Sequence, residues 1–193
     1  MGEVAIAKPV VKSFNMIGIK RECLFKEFST ALPAARAELY DQYNLDGDST
    51  ELIFYVMMDE KLHPERQELF YIGIEPGKDD SIPEGMDCKK IENQSFVMTT
   101  HKGVITDIWK SYQNINEYIK DNELIEDRTS YVVELYDNRF NANSADSEME
   151  IYIPRMRANG PLLLRRNATR PLLLSDKTRD IVPSKRRLPA QHL

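Results

Sequence analysis

The stretch Ile105-Thr106-Asp107-Ile108-Trp109-Lys110-Ser111-Tyr112-Gln113-Asn114-Ile115-Asn116-Glu117-Tyr118-Ile119 decides the fold. Ile105, Ile108, Trp109, Tyr112, Ile115 and Ile119 recur at the spacing of one face of an amphipathic helix. Gly103 marks the turn before this helix, and Asn122 with the acidic stretch behind it marks the end. Upstream, Asp87 to His101 reads as a strand. Downstream, Tyr131 to Asp137 and Glu148 to Pro154 read as two more, separated by a polar loop of Asn, Ala, Ser and Asp. The unit is β-α-β-β.

The same order of elements precedes it. Val11 to Glu22 reads as a strand, with Gly18 at a bulge or a close backbone approach. Thr30 is expected to cap a helix whose first turn holds Pro33, where a missing N–H does least harm. Leu32, Ala35, Leu39 and Tyr43 fall along its buried side. After the turn region Asn44 to Thr50, two strands follow, Glu51 to Met58 and Glu68 to Glu75, and Pro76 to Gly85 joins the two units. Residue identity between the halves is weak, so the repeat rests on element order. The expectation is an α+β domain of tandem β-α-β-β repeats, mainly antiparallel, with two main helices.

The chain has 193 residues, room for one sizeable domain, and its 41% hydrophobic and 30% charged content is that of a globular protein. The longest apolar run, Leu52 to Met58, falls far short of the roughly 20 residues that span a bilayer. The segment from Met1 to Val11 lacks the basic start and apolar core of a secretory leader, so a cytoplasmic location is expected. Cys23 and Cys88 are then expected to be free thiols. His63, His101 and His192 have no ligand-like spacing, and no phosphate-cradling glycine pattern or Gly-x-Ser-x-Gly elbow occurs. Neither a metal nor a cofactor is expected. The net charge is −5, and from Arg155 onward ten Lys and Arg face only Asp176 and Asp180, which leaves an acidic body. Such a body repels phosphate and argues against nucleic acid as partner. The basic tail 156–193, where Pro161-Leu162-Leu163-Leu164 recurs as Pro171-Leu172-Leu173-Leu174, is expected to be a disordered or non-native extension.

Strand period assigns faces. Met149, Ile151 and Ile153 oppose Glu148, Glu150 and Tyr152, and Tyr131, Val133 and Leu135 oppose Val132, Glu134 and Tyr136. Each strand thus offers one greasy face to a helix layer and one face carrying carboxylate plus tyrosine. The second face is either simply wet or part of a site. In the first half, Leu52-Ile53-Phe54-Tyr55-Val56-Met57-Met58 and Leu69-Phe70-Tyr71-Ile72 are apolar on both faces. Helices cover one face, so the other must meet a partner, a second layer or a pocket. As a pocket, Tyr55, Met57 and Tyr71 share a concave wall with Glu134 and Tyr136; the alternative is plain core packing. Trp109 sits on the helix stripe, available to the core or to a ligand.

Glu84-Gly85-Met86, Phe96-Val97-Met98-Thr99-Thr100-His101-Lys102-Gly103, the helix with Trp109 and Tyr112, Glu134-Leu135-Tyr136 and Glu150-Ile151-Tyr152-Ile153-Pro154 occur in this order. This set resembles the GyrI-like, or effector-binding, domain family, which includes the ligand-sensing domains of MerR-type and AraC-type multidrug regulators and shorter stand-alone proteins. The resemblance assigns 1–155 to one domain with halves at about 11–75 and 86–155. It implies pseudo-two-fold halves with a cleft between them, and ligands that are bulky, flat, often cationic aromatics. Glu134 matches the acidic residue that faces the ligand charge from the pocket floor, and Glu150 and Tyr152 match a second pair lining the same pocket. Only about ten residues precede the first strand, so no DNA-reading element is expected in this chain. Small-molecule capture is the first expectation. An alternative is a hydrolase that opens strained cyclopropane rings of genotoxic alkylators. There Glu134 activates water and Tyr55, Tyr71 or Tyr152 polarises the departing oxygen. A third is a protein-interaction module of the gyrase-inhibitor kind.

Overall fold

The computed structural model describes residues 6–42, 49–56, 65, 67–77 and 81–157. Its elements run β1 (Lys8–Leu24), α1 (Phe28–Gln42), β2 (Glu51–Val56), β3 (Gln67–Ile74), β4 (Asp87–Lys102), α2 (Ile108–Asp121), β5 (Tyr131–Tyr136) and β6 (Glu148–Pro154). A short 3₁₀ turn, Phe25–Glu27 or Ile105–Asp107, leads into each helix. The chain is α+β, two β-α-β-β units in tandem. Met57, Met58, Tyr43 and the tail from 158 lie outside the described residues.

The strands close into an antiparallel barrel in the order β1-β3-β2-β5-β6-β4. Exchanging the halves maps this ring onto itself, and the halves join through β1 with β4 and β2 with β5. The length of β1 follows from serving two neighbours. Lys8 to Gly18 pairs with β4, and Ile17 to Leu24 pairs with β3. Where β1 passes from one to the other, Gly18 lies opposite Gly73. A Cβ on Gly18 would stand 2.2 Å from the Ile72 carbonyl oxygen, and one on Gly73 would stand 2.3 Å from that of Ile17. The close approach read from Gly18 is present, and it requires glycine on both strands.

Closure creates two cores. Inside the barrel, Phe14, Met16, Phe54, Phe96, Met98 and Tyr152 pack together, with the Phe14 ring edge-on to Phe96 at 5.7 Å and to Tyr152 at 5.0 Å. Outside, Ile53, Ile72, Val97, Ile151 and Ile153 meet Ala35 and Leu39 of α1 and Ile108, Ile115 and Ile119 of α2. Helix α1 packs on β1 and β3, and α2 packs on β4, each over its own half. The central strands β2 and β5 run along the seam between them.

Helix α1 starts earlier than its sequence suggests. It begins at Phe28, and Thr30 lies within it, donating its hydroxyl to the Glu27 carbonyl at 2.9 Å rather than capping the end. Pro33 therefore sits beyond the first turn. The 3₁₀ turn supplies the entry instead: Glu27 reaches back to accept the Leu24 N–H at 3.3 Å. Cys23 and Cys88 are free. Among the described residues, no helix is long and apolar enough to cross a membrane.

Candidate functional site

The seam is built by two strands whose alternate residues face the helices. Glu51, Ile53 and Tyr55 of β2 lie beside Tyr136, Glu134 and Val132 of β5, in that order of register. Period two puts these six on one face, and Ile53, Tyr55, Val132 and Tyr136 belong to the helix-side core.

Glu134 is the centre of this face, with only 5% of its surface exposed. Its Oε1 accepts the Tyr112 hydroxyl at 2.5 Å and the Tyr55 hydroxyl at 3.2 Å, and its Oε2 accepts that of Tyr136 at 2.6 Å. The hydroxyls of Tyr55 and Tyr112 also lie within hydrogen-bond distance of each other, so with one proton per phenol one of the two donates to Glu134 or to its neighbour, not to both. Three phenol hydroxyls thus converge on one buried carboxyl group. Burial pushes all three phenols well above their ordinary pKa, and the Glu134 charge pushes the same way. They remain neutral donors at physiological pH. Among the described residues, no Lys or Arg forms an ion pair with Glu134.

A second buried carboxylate shows the contrast. Glu51, 6% exposed, receives Arg36 of α1 in a fork, with Nη2 2.7 Å from Oε1 and Nε 3.1 Å from both oxygens. Tyr40 adds its hydroxyl at 2.8 Å, and burial together with the Glu51 charge pushes that phenol up to about 12. The Arg36 guanidinium lies 5.7 Å from the Tyr136 ring. One carboxylate of the seam thus carries its own planar cation over a tyrosine face, while the other is held by phenols alone.

The structure brings together Glu134, Tyr55 and Tyr136 and places Tyr71, Glu150 and Tyr152 on the opposite, barrel-facing side. Register is the reason. Tyr71 pairs with Phe54 while Tyr55 pairs with Phe70, and Glu150 pairs with Leu135 while Glu134 pairs with Ile151. Tyr71 and Tyr152 therefore join the interior core, and the shared wall expected for Tyr71 with Tyr55 does not form. Glu150 accepts hydrogen bonds from Tyr152 and from Arg139, whose Nη2 is 3.0 Å away, and Lys12 stands 3.8 Å off. Its charge is answered within the chain. Lys89 lies over the rings of Tyr71 and Tyr131 at 5.3 and 4.8 Å. Trp109 is 47% exposed on the outer side of α2, and Met57 lies outside the described residues.

Tyr112, Glu51, Arg36 and Tyr40 belong to the seam and do not stand out in the sequence as site residues. Glu51 was legible in principle: it opens the period-two series Glu51, Ile53, Tyr55. Tyr112 merges into the apolar stripe of α2, where a tyrosine reads as core.

A profile described as the GyrI-like small molecule binding domain matches residues 10–155. The transcriptional regulator BrlR of Pseudomonas aeruginosa is 30% identical over 89 residues, 45% of this chain and 33% of the regulator. The chain thus matches about a third of the length of that curated relative. Among solved structures, SAV2435 bound to tetraphenylphosphonium has a TM-score of 0.55 at 13% identity, covering 79% of this chain and 93% of that one. The EcmrR C-terminal domain has a TM-score of 0.53 at 15% identity, covering 78% and 98%. At these identities the structural neighbours establish a common fold.

Proposed function

The chain belongs to the GyrI-like small molecule binding domain family, and from that premise we propose that it captures bulky aromatic cations in the seam between α1 and α2. Glu134 is the charge partner, and sensing or sequestration of such compounds is the role. The observation that carries this reading is a buried carboxylate solvated by three phenols and paired with no cation among the described residues. A bound organic cation supplies the missing charge. The rings of Tyr55, Tyr112 and Tyr136 add about 0.5–2 kcal/mol of cation–π attraction, which depends little on ligand shape. That SAV2435, a protein of the same fold, was solved with tetraphenylphosphonium supports this ligand class.

Calorimetry with tetraphenylphosphonium and the neutral triphenylphosphine oxide tests the reading. A cation about 5 Å from the carboxylate, at an effective dielectric of about 20, gains roughly 3 kcal/mol. Glu134→Gln is therefore expected to weaken the phosphonium about 100-fold and leave the neutral compound unchanged. Equal losses for both would remove Glu134 from the charge role.

A second reading rests on a specific observation: Tyr112 and Tyr55 bond the same oxygen of Glu134, which pairs a carboxylate with a proton-donating phenol. That pair suits hydration of a strained cyclopropane ring, with Glu134 activating water. Of the tyrosines considered for this role, Tyr55 is the one placed beside Glu134. Mass spectrometry of a cyclopropane-bearing alkylator after incubation decides it: a hydrated product supports turnover, and intact compound leaves binding alone.

A further inference from the structure

The two carboxylates of the seam are diagonal neighbours. Glu51 lies opposite Tyr136 in the register of β2 with β5, and Glu134 stands two residues before Tyr136 on the same face. Diagonal positions of a sheet are about 7–8 Å apart. Tyr136 links the two. Its hydroxyl donates to Glu134 Oε2 at 2.6 Å, and its ring lies 5.7 Å from the Arg36 guanidinium held by Glu51. The fork on Glu51 uses Nε and Nη2. A planar guanidinium held by that edge turns Nη1 and the second N–H of Nη2 away from the carboxylate. Among the described residues Nη1 makes no hydrogen bond, and 18% of the Arg36 side chain is exposed. The seam therefore sets a fixed anion and a fixed cation with spare donors at the two ends of one tyrosine. Arg139 of the same chain shows how much one guanidinium can hold, for its N–H groups reach Asp137, Glu148 and Glu150 together.

We propose that Arg36 is a ligand-binding residue of the seam and selects aromatic cations that also carry a carboxylate. This inference rests on the reading of Glu134 as the charge partner, and it narrows the ligand class to zwitterions. The cationic body lies against Glu134, and the carboxylate accepts from the free edge of Arg36. Glu51 fixes the plane of the guanidinium and offsets its charge, so a simple cation is not driven off. Tyr40, whose hydroxyl donates to Glu51 Oε2 at 2.8 Å, braces the pair from α1. The same Glu51 charge opposes a ligand carboxylate at longer range, so the gain is that of directional hydrogen bonds and is modest.

Rhodamine 110 and its methyl ester, rhodamine 123, share one cationic ring system and differ in a carboxylate against an ester. Fluorescence anisotropy titrations of both on the full chain, at one ionic strength, test the inference. The unsubstituted chain is expected to bind rhodamine 110 roughly five- to ten-fold more tightly, the difference between a charge-assisted and a neutral hydrogen bond. Arg36→Met alone strands the buried Glu51 charge, so it is combined with Glu51→Leu, which removes both charges together. In that double variant, its fold checked by circular dichroism, the ratio is expected to fall to about one. Arg36→Lys, which keeps a cation on Glu51 without a planar second edge, is expected to lose most of the ratio as well. Equal binding of the two dyes by the unsubstituted chain, or a ratio that survives these substitutions, would overturn the role of Arg36 and leave the cation site standing. Failure of both dyes to bind, or indifference of both to Glu134→Gln, would overturn the cation site and this inference with it.

Discussion

Raising the pH attacks the seam through its phenols. Tyr55, Tyr112 and Tyr136 are held protonated in the folded chain, first by burial and then by the Glu134 charge. In the unfolded chain each ionises near pH 10. Above that pH the folded state keeps protons that the unfolded state has lost, so stability falls as pH rises. Each phenol removes about 1.4 kcal/mol per pH unit, and the three together roughly 4. A domain stable by about 5–10 kcal/mol is then exhausted near pH 11–12.5. The assay is phenolate absorbance near 295 nm followed together with far-ultraviolet circular dichroism. The seam tyrosines are expected to ionise in one cooperative step coincident with loss of secondary structure. In Glu134→Gln, where burial alone holds the phenols protonated, their folded pKa values fall toward 10 and the alkaline loss of stability is expected to be no larger than in the unsubstituted chain. Full phenolate absorbance from all nine tyrosines while the dichroism stays native would refute the burial of the trio.

The remaining predictions concern the scaffold. Gly73→Ala drives a Cβ to 2.3 Å from the Ile17 carbonyl oxygen and is expected to cost more than about 4 kcal/mol, read as loss of folded protein. Gly85→Asn, at φ +82° with nothing within 4 Å, is expected to keep the melting temperature within a few degrees. Arg36→Met leaves the Glu51 carboxylate buried without its cation and is expected to cost about 3–5 kcal/mol in denaturant unfolding. Replacing Glu51 by Leu in the same chain is expected to recover most of that loss. His101 is buried, with Ser111 Oγ 2.9 Å from Nδ1 and the Val104 carbonyl 3.2 Å from Nε2, and burial lowers its pKa. Its contribution is intact above about pH 6.5 and declines as pH falls toward the lowered folded value. His101→Asn is expected to flatten the acid limb of a melting-temperature profile below pH 6.5.

The repeat was legible because its signals are local. The α2 stripe needs one helix, and the alternation in β5 and β6 needs one strand each. Ile108, Ile115 and Ile119 are buried as their spacing required, and Met149, Ile151 and Ile153 face the helices. The matching inference for β5 went the other way. Tyr131, Val133 and Leu135 point into the barrel, and Glu134 with Tyr136 points toward the helices. Alternation separates the two faces of a strand, but it does not say which core each face meets when both are covered. That choice is made by pairing between the halves, Ile53 with Glu134 and Glu134 with Ile151, and by the closure that pairing permits. The same non-local register separates Tyr71 from Tyr55 and Glu150 from Glu134. Tyr112 reads as core in the sequence because a tyrosine on an apolar stripe looks the same whether its hydroxyl meets a carboxylate or water.

Tetraphenylarsonium carries the same four rings and charge as the phosphonium, and its arsenic can be located by anomalous scattering in a crystal of the complex. That atom is expected between α1 and α2, within about 6 Å of the Tyr55 and Tyr136 rings and facing Glu134. An arsenic peak on the far side of the sheet beside Glu150 and Tyr152, or none in the seam at saturating ligand, would contradict it.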